Sequence, residues 1–326
     1  AIVAANATMG VVSPRANGIG GDLFAIVFEA KSGRLFGLNA SGWSPADLTP
    51  EFLRENQIAA MPERGIHAVT VPGCVEGWEK LLTRFGRKNF SDVLAAAIAY
   101  AEDGFPVTDL VAWGNLSWLR RDPNAAKTYF PGERAPKVGD SFRNPDIAWS
   151  LRQIVAQGRN AFYQGEIARR IVATSQRLGG TMKAGDLAGY SAEWVDPIST
   201  TYRGWTVYEI PPNGQGIAAL AMLNIMETFP LSEYGHNSTR ALHTMIEAKK
   251  LAYADMLRFV ADLRFAQVPV TGMLAKDYTR ERASLIDPDR AHDVVESGTP
   301  PAPGNDTTYL CAVDSEGNMV SLIQSN

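Results

Sequence analysis

The apolar positions of this chain divide it into helical stretches with strands between and around them. Their pattern predicts helices over Ala1–Val12, Val75–Phe85, Phe90–Asp103, Pro145–Gln157, Glu166–Leu178, Gln215–Thr228 and Thr239–Leu257. In the last of these, Leu242, Met245, Ile246, Lys249, Ala252, Tyr253 and Met256 recur at i, i+3, i+4 spacing and define the face expected to pack on a core. Short β-branched and aromatic runs predict two hairpins. One joins Phe24–Glu29 to Arg34–Leu38 through Ala30-Lys31-Ser32-Gly33. The other joins Thr307–Val313 to Met319–Ile323 through Asp314-Ser315-Glu316-Gly317-Asn318. The late hairpin needs a strand partner and the early one is the best in sight, so a single sheet joining both ends of the chain is expected, covered by helices. No low-complexity linker or internal repeat interrupts the pattern.

Composition narrows the class without naming a reaction. The 326 residues are 45% hydrophobic and 20% charged with a net charge of −4, which suits a chain with a substantial core. Lys and Arg total 31 against 35 acids, and no basic cluster is interleaved with aromatics, so a nucleic-acid surface is not expected. No apolar run reaches bilayer-spanning length. His67, His236, His243 and His292 show no metal-ligand spacing, and neither a metal nor a cofactor is called for. No Gly-x-Ser-x-Gly elbow is present, and Gly18-Ile19-Gly20-Gly21 precedes a strand without the Lys-Ser/Thr of a phosphate loop, so it reads as a turn lining a pocket. Cys74 and Cys311 do not form a disulfide framework and read as structural thiols.

The chemistry concentrates near the end of the chain. Gly298 to Gly304 reads GTPPAPG, an exposed loop in which prolines cannot donate to a ladder, and a strand begins immediately afterwards at Thr307. A hydroxyl at such a junction can attack the carbonyl of Asp306. The resulting ester is opened by water, and Thr307 becomes a new N-terminus whose amino group serves as base for its own hydroxyl. Local grammar alone favours an ordinary strand threonine.

The run Asp306-Thr307-Thr308-Tyr309 followed by Val313-Asp314-Ser315-Glu316-Gly317-Asn318-Met319-Val320 resembles the processing junction of the γ-glutamyltranspeptidase family, N-terminal-nucleophile hydrolases that include cephalosporin-acylase-type enzymes. The similarity extends in order along the chain. It takes in Asn17-Gly18-Ile19-Gly20-Gly21-Asp22-Leu23-Phe24, Val71-Pro72-Gly73-Cys74-Val75-Glu76-Gly77-Trp78, Ala101-Glu102-Asp103-Gly104-Phe105 and Ala161-Phe162-Tyr163-Gln164-Gly165. Gly179-Gly180 with Asp186-Leu187 and Tyr190, Tyr202-Arg203-Gly204, Pro211-Pro212, and Glu247-Ala248 with Ala252-Tyr253-Ala254-Asp255 continue it.

The resemblance implies an α/β (α+β) fold, the four-layer α/β/β/α sandwich of these hydrolases, incomplete in this chain. It implies autocleavage between Asp306 and Thr307, with Thr307 as nucleophile and Ser325 as the second hydroxyl on the paired strand. Asn326 stands one residue short of the family's substrate-binding Asn. One departure bears on substrate: within Asn39-Ala40-Ser41-Gly42-Trp43-Ser44-Pro45, Ser41 falls where transpeptidases carry the Arg that grips the γ-glutamyl α-carboxylate, and Ser supplies neither charge nor fork. Arg15 is a candidate to reach the site from a neighbouring loop. Both ends of the chain read as cut, so residues 1–306 are expected to be most of a large subunit and 307–326 the beginning of a small one, within a single structural domain. The rest of that small subunit is then needed for activity and stable folding. The expected partners are a small acyl-amide substrate and water or an amine acceptor, in an arrangement compatible with an oligomer of cleaved heterodimers. The substrate reading stays open between γ-glutamyl compounds such as glutathione and glutaryl- or cephalosporin-type acyl amides, beside a processing-deficient, non-enzymatic relative. Cytoplasmic, periplasmic and secreted locations all remain open.

Overall fold

The computed structural model describes residues 1–14, 16–108, 117–301, 307–313 and 319–325, the last two segments and residues 117–118 through their backbone. Among the residues described with their side chains, 48% are helical and 11% strand. It forms two compact units, Ala1–Ala25 with Leu38–Trp194 and Ile26–Gly37 with Val195–Asn326. The early hairpin is Leu23–Glu29 and Arg34–Ala40, and Glu193–Val195 extends it to a three-stranded sheet in the order 23–29, 34–40, 193–195.

In the first unit the N-terminal Ile2–Val12 helix packs on Phe90–Asp103, which packs in turn on Pro145–Gln157. Spacing explains the contact: Val3, Ala7 and Val11 lie on one face at steps of four and are buried. Their neighbour buries Val93, Leu94, Ala97, Ile98 and Ala101, where the two alanines permit close approach. The helix starts are set by side chains that accept from orphan backbone N–H groups. Asn89 accepts from Asp92 N at 3.1 Å and Asn144 from Ile147 N at 3.1 Å. Phe90–Asp103 stops at Gly104, whose φ of 98° is open to glycine and costly for other residues.

The second unit carries a two-stranded antiparallel sheet, Ile198–Tyr202 with Trp205–Glu209. The Gly216–Met226 helix packs on Thr239–Phe259 and on Lys276–Ala283. Their shared core is Ala221, Ile225, Ala248, Leu251, Ala252, Ala283 and Ile286. The predicted helices are all present with ends displaced by a residue or two. The packing face of Thr239–Phe259 differs from the expected one. The buried residues are Ala241, Thr244, Glu247, Ala248, Leu251, Ala252, Asp255 and Met256, while Leu242 and Ile246 are 41% and 53% exposed. The helix is turned by about one residue relative to its apolar stripe because two of the groups it buries are carboxylates that find donors inside the fold. The single sheet expected to join both chain ends is not formed either. Among the described residues, Thr307–Val313 and Met319–Ser325 pair only with each other.

Candidate active site

The late hairpin runs antiparallel with Thr307 opposite Ser325, Thr308 opposite Gln324 and Val313 opposite Met319. Directly opposed residues in such a ladder have Cβ atoms about 4.5–5.5 Å apart, within reach of a hydroxyl–hydroxyl contact. The register therefore brings together the two positions that the sequence resemblance singles out as nucleophile and second hydroxyl. Asp306, Asn326 and Arg15 lie outside the described residues, as do the side chains of Thr307, Ser325 and Cys311.

Ser41 belongs to the first unit, immediately after the Arg34–Ala40 strand. Its N–H and Oγ both donate to Asn39 Oδ1, at 3.0 and 2.8 Å, and its carbonyl accepts from Tyr190 Oη at 3.1 Å. Two glycines let the backbones around it touch. A Cβ at Gly42 would lie 1.6 Å from Val71 O, and one at Gly73 would lie 1.8 Å from Ala40 O. The glycine-rich turn joins the same construction: Gly21 O accepts from Gly73 N and Cys74 N, each at 3.0 Å, and Asp22 Oδ1 accepts from Gly42 N at 2.9 Å. Partial burial pushes the Asp22 carboxyl above the usual aspartate range, opposed by the backbone hydrogen bonds of Gly42 and Gly73.

A buried network stands behind Ser41. Arg159 pairs with Glu76 and donates through Nη2 to Tyr190 O at 2.8 Å. Tyr163 Oη donates to Pro72 O at 2.7 Å and accepts from Glu76 N at 3.1 Å. The Tyr163 and Tyr190 rings stack with centroids 5.6 Å apart, and Trp43 meets Tyr190 edge-on at 5.2 Å. Burial drives both phenols upward, so they remain neutral hydrogen-bonding groups. Nearby, burial followed by the Asp22 charge pushes the Cys74 thiol up to about 12, which fits the expected inert structural cysteine. Among the described residues, no three His, Cys, Asp or Glu side chains gather as a metal site.

The second unit holds buried carboxylates that the apolar pattern concealed. Glu247 accepts from Lys250 Nζ at 2.6 Å and faces His292 Nδ1 at 3.0 Å. Asp255 accepts from Gly298 N at 2.7 Å and Tyr278 Oη at 2.9 Å, and lies 3.2 Å from Arg282 Nη2. A signal existed, since both carboxylates sit in the ordered motifs of the sequence and are separated by two helical steps of four. Counting apolar residues alone could not promote them to the buried face.

The profile of γ-glutamyltranspeptidase matches residues 1–326. The chain belongs to the γ-glutamyltranspeptidase family. A glutathione hydrolase-like proenzyme, YwrD of Bacillus subtilis, is 36% identical over all of this chain and 61% of its own length. Among solved structures, a cephalosporin acylase from Bacillus halodurans aligns with a TM-score of 0.84 at 38% identity, covering 99% of this chain and 60% of that one. The γ-glutamyltranspeptidase of Helicobacter pylori aligns with a TM-score of 0.82 at 31% identity, covering 90% and 87%. Likeness at that level makes the fold that of this family of N-terminal-nucleophile hydrolases, as the sequence resemblance implies. The chain spans about three-fifths of the curated Bacillus relative.

Proposed function

We propose that this chain contributes the nucleophile of an autoprocessing threonine amidohydrolase. The observation that carries the reading is the pairing of Thr307 with Ser325 at the mouth of the late hairpin. In the precursor, Thr307 Oγ adds to the Asp306 carbonyl carbon. The peptide C–N bond breaks as its nitrogen takes the hydroxyl proton, leaving an ester. Water then adds to that ester and the C–Oγ bond breaks, giving a carboxylic acid at Asp306 and a Thr307 with free amine and hydroxyl. The amine next acts as general base, with an ordinary pKa of about 7.7–8.0, while Oγ attacks a substrate amide. The departing amine takes the proton, and the acyl group passes from Thr307 to water or to an amine acceptor.

Ser41 and Asp22 disfavour any acyl group that depends on a carboxylate at this position, γ-glutamyl and glutaryl alike, and favour another acyl amide as substrate. At the position where a transpeptidase arginine would meet an α-carboxylate, this chain offers a hydroxyl already engaged with Asn39, with the Asp22 carboxyl bonded to the next residue. Neither group attracts a carboxylate. A remaining small-subunit segment of the same precursor would complete the pocket.

The test is the mass of the full-length product. Two fragments are expected, the smaller beginning at Thr307, and Thr307→Ala should leave an intact precursor without amidase activity. An uncut wild-type chain that never yields an acyl adduct would instead identify a non-enzymatic relative.

A further inference from the structure

The segment that leads to the junction is tied down along its length. His292 is held by Glu247, through Nδ1 at 3.0 Å and its backbone N at 3.3 Å, while Lys250 Nζ links that carboxylate to His292 O at 2.7 Å. Four residues on, Glu296 O accepts from Arg282 Nη2 at 2.7 Å. Gly298 N then donates to Asp255 Oδ1 at 2.7 Å, and a Cβ at Gly298 would lie 2.3 Å from Tyr278 Oη. At Pro301 the strap presses on the backbone of Gly272, where a Cβ would meet Pro301 O at 2.1 Å.

Two of these ties use the carboxylates of Glu247 and Asp255, which lie on one face of the Thr239–Phe259 helix and are nearly inaccessible to solvent. Burying charged groups is costly unless each finds donors, and here the donors include backbone of the strap itself. Capping the core would need no such arrangement, because apolar side chains from the loop would serve. What the arrangement supplies is a defined position for Pro301, the last described residue before the junction. An intramolecular attack requires the reacting atoms held about 3–3.5 Å apart, and small displacements from remote changes are costly in rate.

We infer that Asp255, supported by Glu247, is a positioning residue for self-cleavage: by clamping residues 292–301 it fixes the chain that leads into the Asp306–Thr307 bond. This rests on the proposed role of Thr307. It carries a distinctive consequence. Before scission the strap is covalently joined to Thr307, and afterwards it is not. Loosening the strap should therefore slow maturation and leave turnover by the matured enzyme unchanged.

The experiment uses the full-length precursor, purified rapidly and followed by intact mass as it matures, with acyl-anilide turnover then measured on the matured fraction. For Asp255→Asn the maturation rate should fall about tenfold or more, with kcat and KM of the matured fraction within about twofold of wild type. That substitution leaves Arg282 facing a neutral group and can cost folding, so Gly272→Ala provides a second route. Its methyl displaces Pro301 without touching a charge, and the same split is expected. Wild-type maturation rates in a folded variant would overturn the inference, as would a loss of kcat by the same factor as maturation. Cleavage persisting in Thr307→Ala would instead remove the proposed nucleophile, a separate result.

Discussion

The proposed substrate reading turns on Ser41. Its hydroxyl is committed to Asn39, and its carbonyl is held by Tyr190, which the Glu76–Arg159 pair supports from behind. The loop is thus built to a fixed shape that does not depend on a charge at position 41. Ser41→Arg is expected to raise turnover of γ-glutamyl and glutaryl anilides, which share that carboxylate, relative to a butyryl anilide by roughly tenfold, the lower end of what a charged hydrogen bond contributes at about 1.5 kcal/mol. An unchanged ratio in steady-state assays would remove Ser41 from the specificity argument. The identity of this residue was legible in the sequence. Its surroundings were not, because Tyr190, Glu76 and Arg159 reach it from distant parts of the chain.

At the scale of elements, the Thr239–Phe259 helix shows how an apolar pattern can mark a helix and miss its orientation. Leu251 is 3% exposed and belongs to the second unit's core, whereas Ile246, within the expected stripe, is 53% exposed. Leu251→Ala should therefore destabilise by about 2–5 kcal/mol in chemical denaturation, through lost burial and the cavity left behind. Ile246→Ala should stay within about 0.5 kcal/mol, as surface changes usually do. Comparable losses from the two would restore the face read from periodicity. Helix positions were legible because caps such as Asn89, Asn144 and Ser238 are local signals. The face was not, because Glu247 and Asp255 are buried only by virtue of partners elsewhere in the chain, among them Tyr278, Arg282, His292 and Gly298.

For the molecule as a whole, acid should act with opposite sign on the surroundings of Glu247 and of Asp22. Burial raises the Glu247 carboxyl, but hydrogen bonds from Lys250 and His292 outweigh it and hold the group below the usual glutamate range. Its contribution is complete above the unfolded pKa of about 4.3 and is lost as pH falls toward the depressed folded value. Asp22 in the first unit is raised by burial, so its protonation favours the fold and stability there grows as pH falls toward the unfolded aspartate range. Hydrogen exchange near pH 4, corrected for intrinsic rates and compared with pH 7, should show protection lost first around residues 239–298, and Glu247→Gln should blunt that loss. Equal loss around Asp22 and its partners Gly42 and Gly73 would contradict the assignment. The sequence by itself determined the family, the helices and the hairpins, because these depend on local grammar and on ordered motifs. Only the tertiary structure decided that Thr307 lies opposite Ser325, that Ser41 is locked to Asn39 and Tyr190, and that a helix buries two carboxylates bonded to His292 and Gly298. Register and burial follow from contacts between residues far apart in the chain, which no local pattern encodes.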